Sequence, residues 1–365
     1  MPSTSLLFPR SPTKRLHTKS APSLRPYQRT SASYTAAQRT HSSCSGPSPR
    51  IPPPFSPSAH LMQERLDALD LNKYGFLWPD ELTLAQHVLK SNEHALAWTD
   101  KEHGRFRNDY FKIPTVEHVP WTHRSLLILS SIMDKVIELL KCKIATGMYE
   151  PSNASYHSHW FCVKKKNGSL CLVHNLQPLN VVTICNAAVP PFIDQLMESM
   201  AMRACYSILD LFIRYNHCTL DVTSCNLTSF QMPLGALQCT VLLQGSTNAV
   251  AIFHGDVSFI LEPEIPQVAR PFVDDTAIHG PASRYETPGG GFETIPTNAG
   301  NRRFMWEHLC DVHCILHCLG HAGVTISEPK ISIAAPELAI LRHKCTYSGH
   351  VPQNSKADKV ASWPP

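Results

Sequence analysis

"PFVDDTAIHG" occupies residues 271–280 and sets two carboxylates, Asp274 and Asp275, side by side between apolar neighbours. The flanking residues suit strands, so the pair is expected on a tight hairpin. Paired acids repel and shift each other's titration, and a divalent cation between them removes that cost. Two such ions roughly 3.5 to 4 Å apart stabilise both ends of a phosphoryl displacement, provided a further carboxylate arrives from elsewhere in the chain. Asp210 is the candidate, because it ends the apolar run "CYSILD" (205–210) as a side chain at the rim of a sheet would. Asp is also a common turn former, and taken alone the pair reads equally well as a solvated turn.

Working outward, "HWFCVKKKNGSLCLVH" (159–174) is two alternating runs around Asn167-Gly168, a strong hairpin signal. "ACYSILDLFI" (204–213) and "ISIAAPELAIL" (331–341) have the short, β-branched character of strands. Apolar positions return with helical spacing over 61–70, 82–99 and 126–145, and again near 192–202, 246–261 and 303–319. Hairpins mixed with helices, without an internal repeat, predict an α+β packing.

The chain has 365 residues, 43% of them hydrophobic, enough for one large or two modest folded units. Residues 1–60 hold eleven of the thirty prolines and eight Lys or Arg without one acid, and such a stretch reads as a disordered basic tail, although it also resembles a transit peptide in composition. The remainder carries 25 basic and 29 acidic residues, so overall charge does not argue for a nucleic-acid partner. The best apolar run, "SLLILSSIM" (125–133), is too short to span a bilayer, and no membrane partner is expected. Thirteen Cys without a C-x-x-C pair predict reduced thiols in an intracellular compartment, cytoplasm or nucleus.

Two stretches imitate metal sites. In "LDALDLNKYGFLWPDEL" (66–82), Asp70, Asn72, Gly75 and Glu81 fall on calcium-loop positions, but Tyr74 stands where an oxygen ligand belongs and Pro79 interrupts the end, so a surface turn is the better reading. In "CDVHCILHCLGH" (310–321), Cys310, Cys314 and Cys318 share one helical face and His313, His317 and His321 a neighbouring one. That pattern can hold zinc, but the same spacing is what a packed helix face produces, and the packed face is the better reading.

Four motifs in order, "HWFCVKKKNGSLCLVHNLQPLN" (159–180), "YSILDLFIRY" (206–215), "LTSFQMPLGALQCTVLLQGSTNAVAIFHGDV" (227–257) and "PFVDD" (271–275), resemble the reverse transcriptase of gypsy-type long-terminal-repeat retrotransposons, particularly fungal copies. The resemblance covers roughly residues 66–363. It implies the fingers and palm of a right-hand polymerase with a partial thumb, the palm being an antiparallel sheet backed by helices. It divides the chain into the tail (1–60), a helical extension and linker (61–125), the polymerase domain (126–349) and the start of a truncated connection (350–365), without the RNase H and integrase parts of a complete polyprotein.

The resemblance further implies RNA-directed DNA polymerase activity with two Mg²⁺ ions, Mn²⁺ being a possible substitute. Asp210 and Asp274 match the metal-binding carboxylates and Asp275 the accessory acid. Tyr215 matches the aromatic gate under the incoming sugar, Gln244 and Gly245 the step that meets nucleotide and template, and Lys164, Lys165 and Lys166 the fingers hairpin that meets the triphosphate. The implied partners are an RNA or DNA template with its primer and deoxynucleoside triphosphates; oligomeric state is not legible. Cys171 stands where the family usually has a triphosphate-binding Arg, and Arg214, Asn216, Leu243 and Ser246 are further departures. They leave open a catalytically inactive nucleic-acid-binding remnant.

Overall fold

A computed structural model describes residues 50–107, 110–124, 127–164, 168, 170–188, 190–328, 331–352 and 362–363. Its main helices are α1 (Pro79–Ser91), α2 (Ser130–Ala145), α3 (Ala249–Ile260) and α4 (Arg303–His321). The strands that frame the site are β1 (Trp160–Lys164), β2 (Leu170–His174), β3 (Tyr206–Asp210), β4 (Ala269–Phe272), β5 (Asp275–His279) and β6 (Ser332–Ala335).

Four of these strands form an antiparallel sheet in the order β4-β5-β3-β6. Side chains alternate across a strand. Ser207 and Leu209 of β3 turn to the main core, where Leu209 joins Phe253 and Val257 of α3 and Leu309, Val312 and Leu316 of α4. Tyr206 and Ile208 turn the other way, onto Leu196, Met197 and Met200 of a helix over Ile193–Met200 and onto Leu338, Ile340 and Cys345. A small separate core holds Val136 and Leu140 of α2 with Trp160 of β1, Tyr149, Phe230 and Leu237. The expected α+β architecture, with helices behind an antiparallel sheet, is the observed one.

Some boundaries move for physical reasons. The periodicity over 82–99 overruns α1: Asn92 ends the helix, its amide donating to the Val88 carbonyl, and Leu96–Ala97 continue as a strand parallel to Ile326–Ser327. The helix expected from 126 begins at Ser130, with Leu127 fully exposed. The run 331–341 is two strands, because Pro336 has no N–H to donate, and Glu337–Ile340 leaves for a second sheet with His343–Thr346 and Gly349–Pro352. Two short hairpins within 286–302 were not legible in the sequence beyond the run Gly289-Gly290-Gly291.

Of the stretch read as a tail, residues 1–49 lie outside the described residues, whereas Phe55 packs on the main core and His60 Nε2 lies 2.9 Å from the Leu96 carbonyl. The extension over 61–125 is woven into the rest. Tyr110–Phe111 pair in parallel with Thr219–Leu220, and a Cβ on Gly104 would lie 2.1 Å from the Gly323 carbonyl, an approach that only glycine allows. The residues 353–361 of the expected truncated connection lie outside the described residues.

Candidate active site

The register of the central sheet brings the acids together. Asp275 opens β5 directly opposite Asp210 at the end of β3, and Phe272 closes the hairpin opposite Asp275, which leaves Val273 and Asp274 as its two-residue turn. Val273 has φ 56°, a left-handed conformation that a β-branched residue adopts only at a cost. The turn is tied to β3 by Leu211 N, which donates to the Asp274 carbonyl at 2.9 Å. One ligand oxygen from each of Asp210, Asp274 and Asp275 lies within 4.8 Å of the others; the first two are buried and the third half-buried. Among the described residues these three are the one group of His, Cys, Asp or Glu side chains that converges in this way.

Asp210 also lines a cleft of about 980 Å³. Tyr215, Gln244 and Gly245 line the same cleft, so the structure gathers these expected site residues beside the acid. Tyr215 is buried, its ring edge-to-face with Phe253 of α3 at 5.7 Å, a packing that fixes the ring plane. Gly245 has φ 95°, a turn that suits glycine. Lys164 ends β1 as an exposed side chain and does not line the cleft; Lys165 and Lys166 lie outside the described residues.

Several residues at the site were not singled out in the sequence. Asn180 clamps the Gln-Gly loop: its side-chain amide donates to the Gly245 carbonyl, and its oxygen accepts from Thr247 N, each at 2.9 Å. Asn248 holds the other side, accepting from Asn186 N at 2.9 Å and donating to the Ile184 carbonyl at 2.8 Å. Tyr149 and His174 line the cleft with Tyr149 Oη 2.9 Å from His174 Nε2; burial lowers the imidazole to about 4 and raises the phenol well above its ordinary range. Cys171 lines the cleft as well, and among its described lining residues Lys143 supplies the positive charge, paired at 3.2 Å with Asp100. Apart from Cys171, none of these was marked by a local pattern, because the partners are far apart in sequence.

The two imitation sites resolve differently. Glu81 is not available to calcium: its carboxylate accepts from Trp78 N and from Arg302 Nε and Nη2, wholly buried, while Asn72 closes a turn onto Leu77. On α4, Cys318 is buried in the main core, as the packed-face reading expects.

No family model matches the chain. Over 258 residues it is 23% identical to the retrovirus-related Pol polyprotein from transposon gypsy of Drosophila melanogaster, covering 69% of this chain and 23% of the relative. It is 23% identical over 235 residues to the transposon Tf2-3 polyprotein of Schizosaccharomyces pombe, covering 64% and 16%. The chain thus spans a quarter or less of the length of these curated relatives. Among solved structures, the foamy viral protease-reverse transcriptase in complex with double-stranded DNA superposes with a TM-score of 0.69 at 18% identity, covering 86% of this chain and 60% of that one. The same viral protein in complex with an RNA/DNA hybrid gives 0.67 at 17% identity, covering 86% and 39%. Sequence and fold point the same way: the chain is similar in sequence to the polyproteins of gypsy-type retrotransposons and shares the fold of a solved reverse transcriptase.

Proposed function

We propose that the chain adds deoxynucleotides to a primer 3′-hydroxyl on an RNA or DNA template, with Asp210, Asp274 and Asp275 holding two Mg²⁺ ions. The observation that carries this reading is the convergence of the three aspartates, one of which, Asp210, lines the same cleft as Tyr215 and Gly245. The donor set fits the metal, since carboxylate oxygens are the hard ligands Mg²⁺ takes, and Mn²⁺ accepts the same set. When bound, the ions would activate the primer hydroxyl and neutralise the leaving pyrophosphate.

The chain's own residues orient the substrates. The ring of Tyr215, held by Phe253, forms a flat floor for the sugar of the incoming deoxynucleoside triphosphate. The loop at Gln244 and Gly245, clamped by Asn180, presents backbone close to the base pair. Lys164, at the end of β1, together with Lys165 and Lys166 that follow it in sequence, brings positive charge to the triphosphate. Template and primer are held through their backbones, which makes binding salt-sensitive. The working unit takes in the extension over 61–125 as well as residues 126–349, because the extension pairs with strands beside the site.

Mg²⁺-dependent primer extension tests the reading: Asp210→Asn and Asp274→Asn should each lower it by more than about a hundred-fold. Undiminished extension by either variant sinks the assignment. A second reading, a nucleic-acid-binding remnant without catalysis, is favoured by Cys171, which offers the cleft no charge where the family carries Arg. Duplex binding without extension, with extension recovered in Cys171→Arg, would select it.

A further inference from the structure

The seam between α4 and the extension carries imidazoles that the proposed polymerase chemistry does not use. His313, His317 and His321 recur every fourth residue on α4, and neighbouring rings stack with centroids 6.3 and 6.0 Å apart. His94 reaches the same turn from a 3-10 turn over Glu93–Ala95. Gly320 makes room for it: a Cβ there would lie 2.6 Å from His94 Nε2 and 2.9 Å from the Ala95 Cβ, so the missing side chain lets the His94 ring pack directly on the helix at Gly320, in the same turn as His317 and His321. His94 and His321 are exposed to solvent. His313 is engaged otherwise, with its Nδ1 2.9 Å from the Asn92 amide nitrogen.

We propose that His94, His317 and His321 form a second metal site, for a borderline divalent transition-metal ion such as Zn²⁺, which clasps the extension to α4. Histidines four apart on a helix present both imidazoles to one ion, and a third from another element gives a three-nitrogen site with a position left for water. The ligand nitrogens of the three do not converge as the aspartate oxygens do, so closure takes rotation of the exposed His94 and His321 side chains toward the half-buried His317, between staggered rotamers. The donor set also separates this site from the aspartates, since imidazole suits zinc and carboxylate suits magnesium.

Calorimetric titration with Zn²⁺ tests the site, using the full chain with Cys142→Ser and Cys185→Ser to remove exposed thiols, in excess Mg²⁺ to occupy the aspartates. One ion should bind per chain. The double variant His317→Ala, His321→Ala should weaken it by roughly a hundred-fold, and His94→Ala or Gly320→Ala by about ten-fold, with far-ultraviolet circular dichroism unchanged. Zn²⁺ should also raise the unfolding midpoint of the parent but not of the double variant, because an ion bound only by the folded chain stabilises it. Absence of binding in the parent, or equal binding in the double variant, overturns the site. Unchanged affinity in both His94→Ala and Gly320→Ala overturns the clasp.

Discussion

Glu81 shows how one residue ties distant parts of this chain together. Its carboxylate has no exposed surface and meets the Arg302 guanidinium at 2.6 Å, while the rings of Phe76, Trp78, Phe292 and Phe304 surround the cation at 4.8 to 5.5 Å. Forming such a pair from water gains little, but removing one partner strands a buried charge. Glu81→Ala should therefore lower the free energy of unfolding by about 3 to 5 kcal/mol. Urea unfolding measures it, and a loss under about 1 kcal/mol would show that water reaches the guanidinium. From the sequence, Glu81 stood out only as the last ligand of an imitation calcium loop. Its true partner lies 221 residues away, and no local pattern points to it.

At the scale of elements, the loop after Leu243 depends on a helix that precedes it by some sixty residues. Asn180, in the helix over Gln177–Val182, makes two hydrogen bonds to that loop, both exposed to water. Each is worth about 1 kcal/mol, so Asn180→Ala should cost little stability. Its effect belongs in substrate binding: KM for deoxynucleoside triphosphate should rise several-fold, with kcat nearly unchanged, because ground-state and transition-state binding are weakened alike. A fall in kcat at constant KM would place the loop in the chemical step instead. The β1-β2 hairpin, by contrast, was legible beforehand, since strand alternation and an Asn-Gly turn are local properties. The break at Pro336 was equally local, but its consequence, a strand that changes sheets, depends on where the partners stand.

For the whole molecule, buried histidines set the response to acid. His174 and His279 are lowered to about 4 and His308 to about 3, in each case chiefly by burial. His308 sits against β3 with its Nε2 2.7 Å from Ser207 Oγ, which also accepts from Ala334 N. Unfolding returns these groups to their ordinary value of 6.5, so the unfolded chain takes up protons that the folded chain refuses. Their contribution is whole above pH 6.5 and is lost as pH falls toward the folded values, at up to about 1.4 kcal/mol per pH unit for each group. Asp311 works the other way: burial, then Glu264 and Glu307, raise it to about 7, so its neutral form favours the folded chain as pH falls. Three groups outweigh one, and the urea midpoint should fall between pH 6.5 and 5; a flat or rising midpoint would refute the balance.

The alternation of β1 and β2 and the apolar run ending at Asp210 marked an α+β packing and its candidate acids, because those properties depend on neighbours along the chain, while the polymerase fold was implied by the resemblance that the four ordered motifs carry. Convergence itself was decided by the sheet: antiparallel register places Asp275 opposite Asp210, and only that pairing turns acids separated by more than sixty residues into one cluster. The clamp at Asn180, the buried pair at Glu81 and the imidazole seam at His94 belong to the same class. Each is a contact between residues remote in sequence, and its energy exists only when burial or close packing removes the water that would otherwise compete for the same groups.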